Sequence, residues 1–138
     1  MRESNFTAAV RKELRPVIYC LKLNVAYAKG VPDCYYSGSK RDLWNEHKYF
    51  KTLPPTIDLT KTTITSALQQ LWLNQRHKEG RHVGMIVGSS EGHLLLPRLS
   101  WQQPIPRDEF KARAHKNYKA LAREIIDLLG ALKDRPLP

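Results

Sequence analysis

Asp33, Glu46 and Lys48 are the residues of this chain whose types and spacing could do chemistry together. Carboxylates hold hard divalent cations such as Mg²⁺ or Mn²⁺ through oxygen, and a nearby ammonium can orient a water or stabilise charge developing on a phosphate. The segment Cys34-Tyr35-Tyr36 and the segment Leu43-Trp44-Asn45-Glu46-His47-Lys48-Tyr49 are rich in β-prone residues and flank the small polar stretch Ser37-Gly38-Ser39-Lys40, which is the pattern of a hairpin. Alternate residues of a strand share a face, so Glu46 and Lys48 point the same way, together with Trp44 and Phe50. Pro32 cannot donate a ladder hydrogen bond, which places Asp33 at a splayed strand start. On spacing alone the same residues also suit an exposed hairpin that carries a Glu–Lys pair.

The elements that must position these groups follow in order. Phe6, Val10 and Leu14 predict a helix over residues 3–14 that ends at Pro16. Val17–Leu23 reads as a buried strand. Lys51–Thr65, broken by Pro54-Pro55, reads as a loop that could cover the hairpin. Residues 66–79 predict a helix with Leu68, Leu71 and Trp72 as its apolar stripe, Gln69 beside that stripe and Gly80 as its stop. His82–Gly88 and His93–Leu96 predict a second hairpin. Residues 108–132 predict one long helix capped by Asp108. On it Lys111, His115, Lys119 and Arg123 form a row, with Lys116 and Arg113 nearby, which suits either a solvated face or a track for a nucleic-acid backbone. Lys22, Tyr27 and Lys29 lie close in sequence to Asp33 and could face phosphates.

The chain has 138 residues, enough for a single core and one domain. Its 41% hydrophobic content suits a globular fold, and its formal net charge of +10 favours a polyanionic partner, nucleic acid above all. No apolar run approaches the ~20 residues of a membrane span. The first residues lack the apolar core of a signal peptide, so an intracellular site, cytoplasmic or nucleoid-associated, is expected. Cys20 and Cys34 do not form a Cys-x-x-Cys pair, which argues against structural zinc and for reduced thiols.

Pro32-Asp33 followed by Glu46-His47-Lys48 resembles the motif of the PD-(D/E)xK nucleases. Leu68-Gln69-Gln70-Leu71-Trp72 resembles the glutamine-bearing helix of one branch, the VRR-NUC domains and the archaeal Holliday-junction resolvases, and Glu3 matches their helix-borne glutamate. The resemblance covers residues 3–90. It implies a restriction-endonuclease-like α/β (α+β) fold with a mixed central sheet of four or five strands flanked by helices and a nuclease core over about residues 3–97, with the basic helix over about 108–132 lying beyond it. It implies a Mg²⁺- or Mn²⁺-dependent DNA endonuclease, with branched DNA among its substrates and a homodimer as its assembly. Asp33, Glu46, the backbone carbonyl of His47 and Glu3 would hold metal, with Glu13 as the second choice for the helical acid. Asp33, Glu46, Lys48 and Gln69 would be catalytic. Lys29, Lys111, Lys116, Lys119 and Arg123 would contact nucleic acid. Two other readings stay open: a non-catalytic nucleic-acid-binding protein of the same fold, and a nuclease acting on RNA.

Overall fold

The computed structural model describes residues 1–23 and 29–135. Its centre is a five-stranded mixed sheet in the order β1 (Tyr19–Lys22), β2 (Cys34–Ser37), β3 (Asp42–Phe50), β5 (Val83–Ser89), β6 (Gly92–Pro97). All neighbours are antiparallel except β3 and β5, which run parallel. The crossover between those two contains β4 (Thr56–Ile57) and helix α2 (Ala67–Lys78). Helix α1 (Glu3–Leu14) precedes the sheet, and β7 (Ile105–Pro106), α3 (Arg107–Arg113) and α4 (Tyr118–Leu129) follow it.

Each face of the sheet buries its own hydrophobic cluster. Alternation along β2 and β3 sends Cys34, Tyr36 and Leu43 toward α1 and α4, where Phe6, Val10, Leu14, Leu121, Ile125 and Leu129 pack. The other face carries Met85, Val87, Leu94 and Leu96 against Leu73, Ile57, Leu59, Trp101 and Phe110. Gly88 opposes Tyr49 in the β3–β5 register. A Cβ at this position would collide with the Phe6 ring, so the glycine lets α1 lie close on the sheet and fixes where Glu3 falls.

Four expectations from the sequence are corrected by the structure. First, the helix over 108–132 is two helices. Ala114 leaves α3 in extended geometry, His93 and His115 exchange backbone hydrogen bonds, and the Asn117 side chain accepts the Ala120 N–H to start α4. Asp108 is not a cap: Pro106 occupies that position, and Asp108 lies in the first turn. Second, the segment 51–65 is not a free loop. Thr56 and Ile57 pair with Pro106 and Ile105, and Leu53, Ile57 and Leu59 are buried.

Third, α2 packs through Leu73 with Trp72 at its margin, and Leu68 and Leu71 are about half exposed, at 49% and 51%. Fourth, β1 is an edge strand whose Tyr19 and Leu21 face solvent, while the apolar anchors are Val17 and Ile18 just before it. Cys20 and Cys34 are free thiols, as expected. No helix among the described residues is long and apolar enough to cross a membrane.

Candidate active site

The site begins where β2 and β3 part. Their pairing stops at Cys34↔Asn45, while β3 runs on to Phe50. Beyond that point the backbone N–H groups on this edge of β3 need other partners. The His47 N–H donates to Asp33 Oδ2 (2.9 Å), and the Tyr49 N–H donates to Glu3 Oε2 (3.3 Å). The splay thus places two carboxylates side by side along one strand edge. The main chain of Asp33 is itself held, since its carbonyl accepts the Leu23 N–H at 2.8 Å. Glu3, Ser4, Thr7, Lys22 and Asp33 line a depression of about 210 Å³ at the mouth.

Glu46 and Lys48 share the face of β3 toward α2, as the alternation requires. Lys48 Nζ lies 3.0 Å from Glu46 Oε2. Gln69 joins them: its Nε2 donates to Glu46 Oε2 (2.7 Å), and its Oε1 accepts from Lys48 Nζ (3.2 Å). The same Oε1 accepts the Ser66 N–H while Ser66 Oγ accepts the Gln69 N–H. This capping box locks the first turn of α2 and, with it, the glutamine's orientation. The second oxygen of Glu46, Oε1, accepts the Asp33 N–H at 3.1 Å.

Glu46 and Lys48 are 1% and 7% exposed, so the pair is buried and not carried on an exposed hairpin. Burial raises the Glu46 carboxyl well above its ordinary pKa; the neighbouring Asp33 charge adds to the rise, and Lys48 opposes it. Asp33 behaves oppositely. Burial pushes it up, but the imidazole and backbone N–H of His47 outweigh that and leave it below its ordinary value. Glu3 is raised by partial burial, offset in part by Lys48 and by the Tyr49 N–H.

Behind the site, on the α1 face, stand the side chains of His47 and Asn45, to which the sequence assigned no role. His47 is fully buried, its Nε2 is 2.9 Å from the Tyr36 hydroxyl and its Nδ1 is 3.6 Å from Asp33 Oδ2. The last distance is too long for a hydrogen bond and close enough for charge to matter. Asn45 is also fully buried, and its Nδ2 donates to the Glu46 carbonyl at 3.0 Å. Their signal was available: polar residues at every second position of a strand, Asn45 and His47, with Asn45 opposite Cys34.

The other candidates separate. Glu13 lies at the far end of α1 in a groove with Lys119 and Arg123, away from Asp33, so the helical acid beside the site is Glu3. Lys29 is exposed just before Gly30, and Tyr27 lies outside the described residues. The break between α3 and α4 splits the basic row. Lys111 and Lys116 stand by the β5–β6 turn, and Lys119 and Arg123 line the α1–α4 groove.

The available donors for a cation are all oxygens: the carboxylates of Asp33, Glu46 and Glu3 and the His47 carbonyl. Their chemistry fits a hard divalent ion. So does the raised pKa of Glu46, a buried acid facing a second carboxylate. In the present geometry both Glu46 oxygens accept N–H groups, and no group of three or more His, Cys, Asp or Glu side chains forms a ready metal cage among the described residues.

No protein-family model and no curated protein matches the sequence. Among solved structures the chain is similar to a Holliday junction resolvase from an archaeal hyperthermophile, Archaeoglobus fulgidus Hjc. The TM-score is 0.55 at 12% identity, over 86% of this chain and 98% of that one. The likeness carries the fold: the five-stranded mixed sheet with its flanking helices is a resolvase-like, restriction-endonuclease-like α/β architecture.

Proposed function

We propose that this protein is a divalent-metal-dependent endonuclease of the PD-(D/E)xK type, close to the VRR-NUC and resolvase branch, acting on DNA and selective for branched structures. The observation that carries the reading is the convergence of Asp33, Glu46, Lys48 and Gln69, from three separate elements, on the splayed edge of β3. The fold likeness to a resolvase and the net charge of +10 support it.

In this reading Asp33, Glu46 and the His47 carbonyl hold Mg²⁺ or Mn²⁺, and Glu3 borders a second position. When bound, the ion lowers the pKa of water and neutralises phosphate charge. The chain's own groups do the rest. Gln69 holds the Lys48 ammonium and the Glu46 carboxylate in one orientation, so neither has to reorganise when substrate arrives. Lys48 orients the attacking water and stabilises charge developing on the phosphate. Gln69 can exchange its bond to Glu46 for one to the scissile strand. The products would carry 5′-phosphate and 3′-hydroxyl ends, and the working assembly would be a homodimer.

One observation favours a second reading. Both Glu46 oxygens are already hydrogen-bonded, which suits a nucleic-acid-binding protein that keeps the fold without the chemistry. A panel of labelled linear, flap and four-way DNAs and single-stranded RNA, incubated with Mg²⁺, Mn²⁺ or EDTA, separates the readings. The nuclease reading expects cleavage with metal and none in EDTA, with four-way DNA cut best. Binding without cleavage in any metal supports the second reading, and cleavage of RNA alone would move the substrate class.

A further inference from the structure

Beyond the C-terminal end of β3 lies a basic depression of about 280 Å³, lined by Lys51, Thr52, Ser90, Glu91, Arg107 and Lys111. Parallel pairing brings the ends of β3 and β5 together, so Lys51 and Ser90 meet there. Arg107 comes from far along the chain and is pinned: its backbone N–H donates to the Pro55 carbonyl and its Nε to the Pro54 carbonyl. That leaves the forked end of the guanidinium unengaged by these bonds. Lys111 Nζ is 3.7 Å from a Glu91 carboxylate oxygen, an exposed pair. Lys116 closes the far side of the turn by donating to the Glu91 and Lys111 carbonyls.

Resting on the nucleic-acid reading above, we propose that this depression seats a backbone phosphate of the nucleic-acid strand that enters the active site. Three features point there. Lys51 from the end of β3 and Arg107 and Lys111 from α3 present three cations to one concavity, with the hydroxyls of Thr52 and Ser90 beside them. The acid present, Glu91, pairs with Lys111 across 3.7 Å and occupies the place that a phosphate would take. Finally, Lys51 stands three residues, about 10 Å of chain, beyond Lys48, just past the end of the strand that carries Glu46 and Lys48. The depression thus stands at the end of the same strand, where a phosphate held there would anchor the nucleic acid close to the site.

The test measures duplex affinity against salt in EDTA, where no cleavage occurs, for wild type, Lys51→Gln, Lys51→Gln/Arg107→Gln and Glu91→Gln. The slope of log affinity against log salt should shrink by about 0.9 for each phosphate that is no longer neutralised, most in the double variant. Lys51 is exposed, so its single variant keeps the test valid if Arg107→Gln unfolds the chain. Glu91→Gln should tighten binding about two- to fivefold, the scale of one exposed charge pair. Unchanged slopes, or a Glu91→Gln variant that binds no better than wild type, would overturn the proposal. Wild type that binds DNA but cuts nothing would instead refute the nuclease reading and leave this seat standing.

Discussion

On one face of β3, Glu46 and Lys48 are buried as a pair whose further partners come from other elements: Gln69 from α2 and the Asp33 N–H from the start of β2. On the other face, Asn45 and His47 are buried as an amide and an imidazole, His47 against the Tyr36 hydroxyl, and each keeps an unpaired atom, Asn45 Oδ1 and His47 Nδ1. The first face concentrates charge where it is costly to hold, so each group depends on all the others. The second face is packed into the α1–α4 cluster by Phe6, whose ring meets the His47 ring edge-on at 6.1 Å. A single strand thereby carries a coupled charged set on one side, while the other side fixes the backbone that carries Asp33's partner N–H.

The contrast between the faces is most vulnerable at Lys48. Lys48→Ala removes the cation beside a carboxyl that burial and Asp33 already push up, so Glu46 takes up a proton, and the stability lost in urea or thermal unfolding should grow as pH rises above the ordinary carboxyl range. The double variant Glu46→Gln/Lys48→Met removes both charges and should recover most of that stability while abolishing cleavage. A single Lys48→Ala variant as stable as wild type would mean that the front face is not a coupled unit.

A smaller effect is expected on the back. Tyr36→Phe takes the hydroxyl from His47 Nε2 inside a fully buried pocket and should cost about 1–3 kcal/mol. Asn45 Nδ2, 3.4 Å from the same nitrogen, is the remaining neighbour. Cleavage by this variant should fall far less than with any front-face change. If it falls as far, the two faces are not separable in the way described.

The smallest effect is a pH slope. His93 sits beside Phe6 and stacks on Tyr118 at 4.3 Å. Burial, then the nearby His115, lowers its pKa below the ordinary value. The folded chain therefore resists a proton that the unfolded chain accepts below about 6.5. His93 contributes stability that is present above that pH and lost as pH falls through it. His93→Phe should flatten the decline between about pH 7 and pH 5 in thermal melts. An identical decline in the variant would assign it to other groups.

Much of the front face was legible because it follows from local rules. Two-residue periodicity put Glu46 and Lys48 together, Pro32 marked the strand start, and Gly80 closed α2. Gln69 became legible only through the family resemblance, although Ser66 three residues before it is the local pattern of the capping box that aims it. What stayed hidden depends on contacts distant in sequence. The break at Ala114 is set by the His93–His115 bridge, and its local signal is a single capping residue, Asn117, inside otherwise helix-compatible sequence. The segment 51–65 is anchored by β7, about fifty residues on. Leu73 rather than Leu68 faces the core because the sheet lies on that side, which four closely spaced apolar residues of α2 do not disclose.

The nuclease reading stands or falls on whether Asp33 and Glu46 form a site for a divalent ion that works with Lys48. Asp33→Asn probes this without changing the shape of the side chain, because it removes only the charge. Divalent affinity by calorimetry and cleavage of the best DNA from the panel would be measured on the same folded protein. Ion binding should weaken, and cleavage should fall by at least ~10²-fold, the scale of losing one preorganised charge-stabilising group. Wild-type ion affinity together with wild-type cleavage in Asp33→Asn would contradict the assignment.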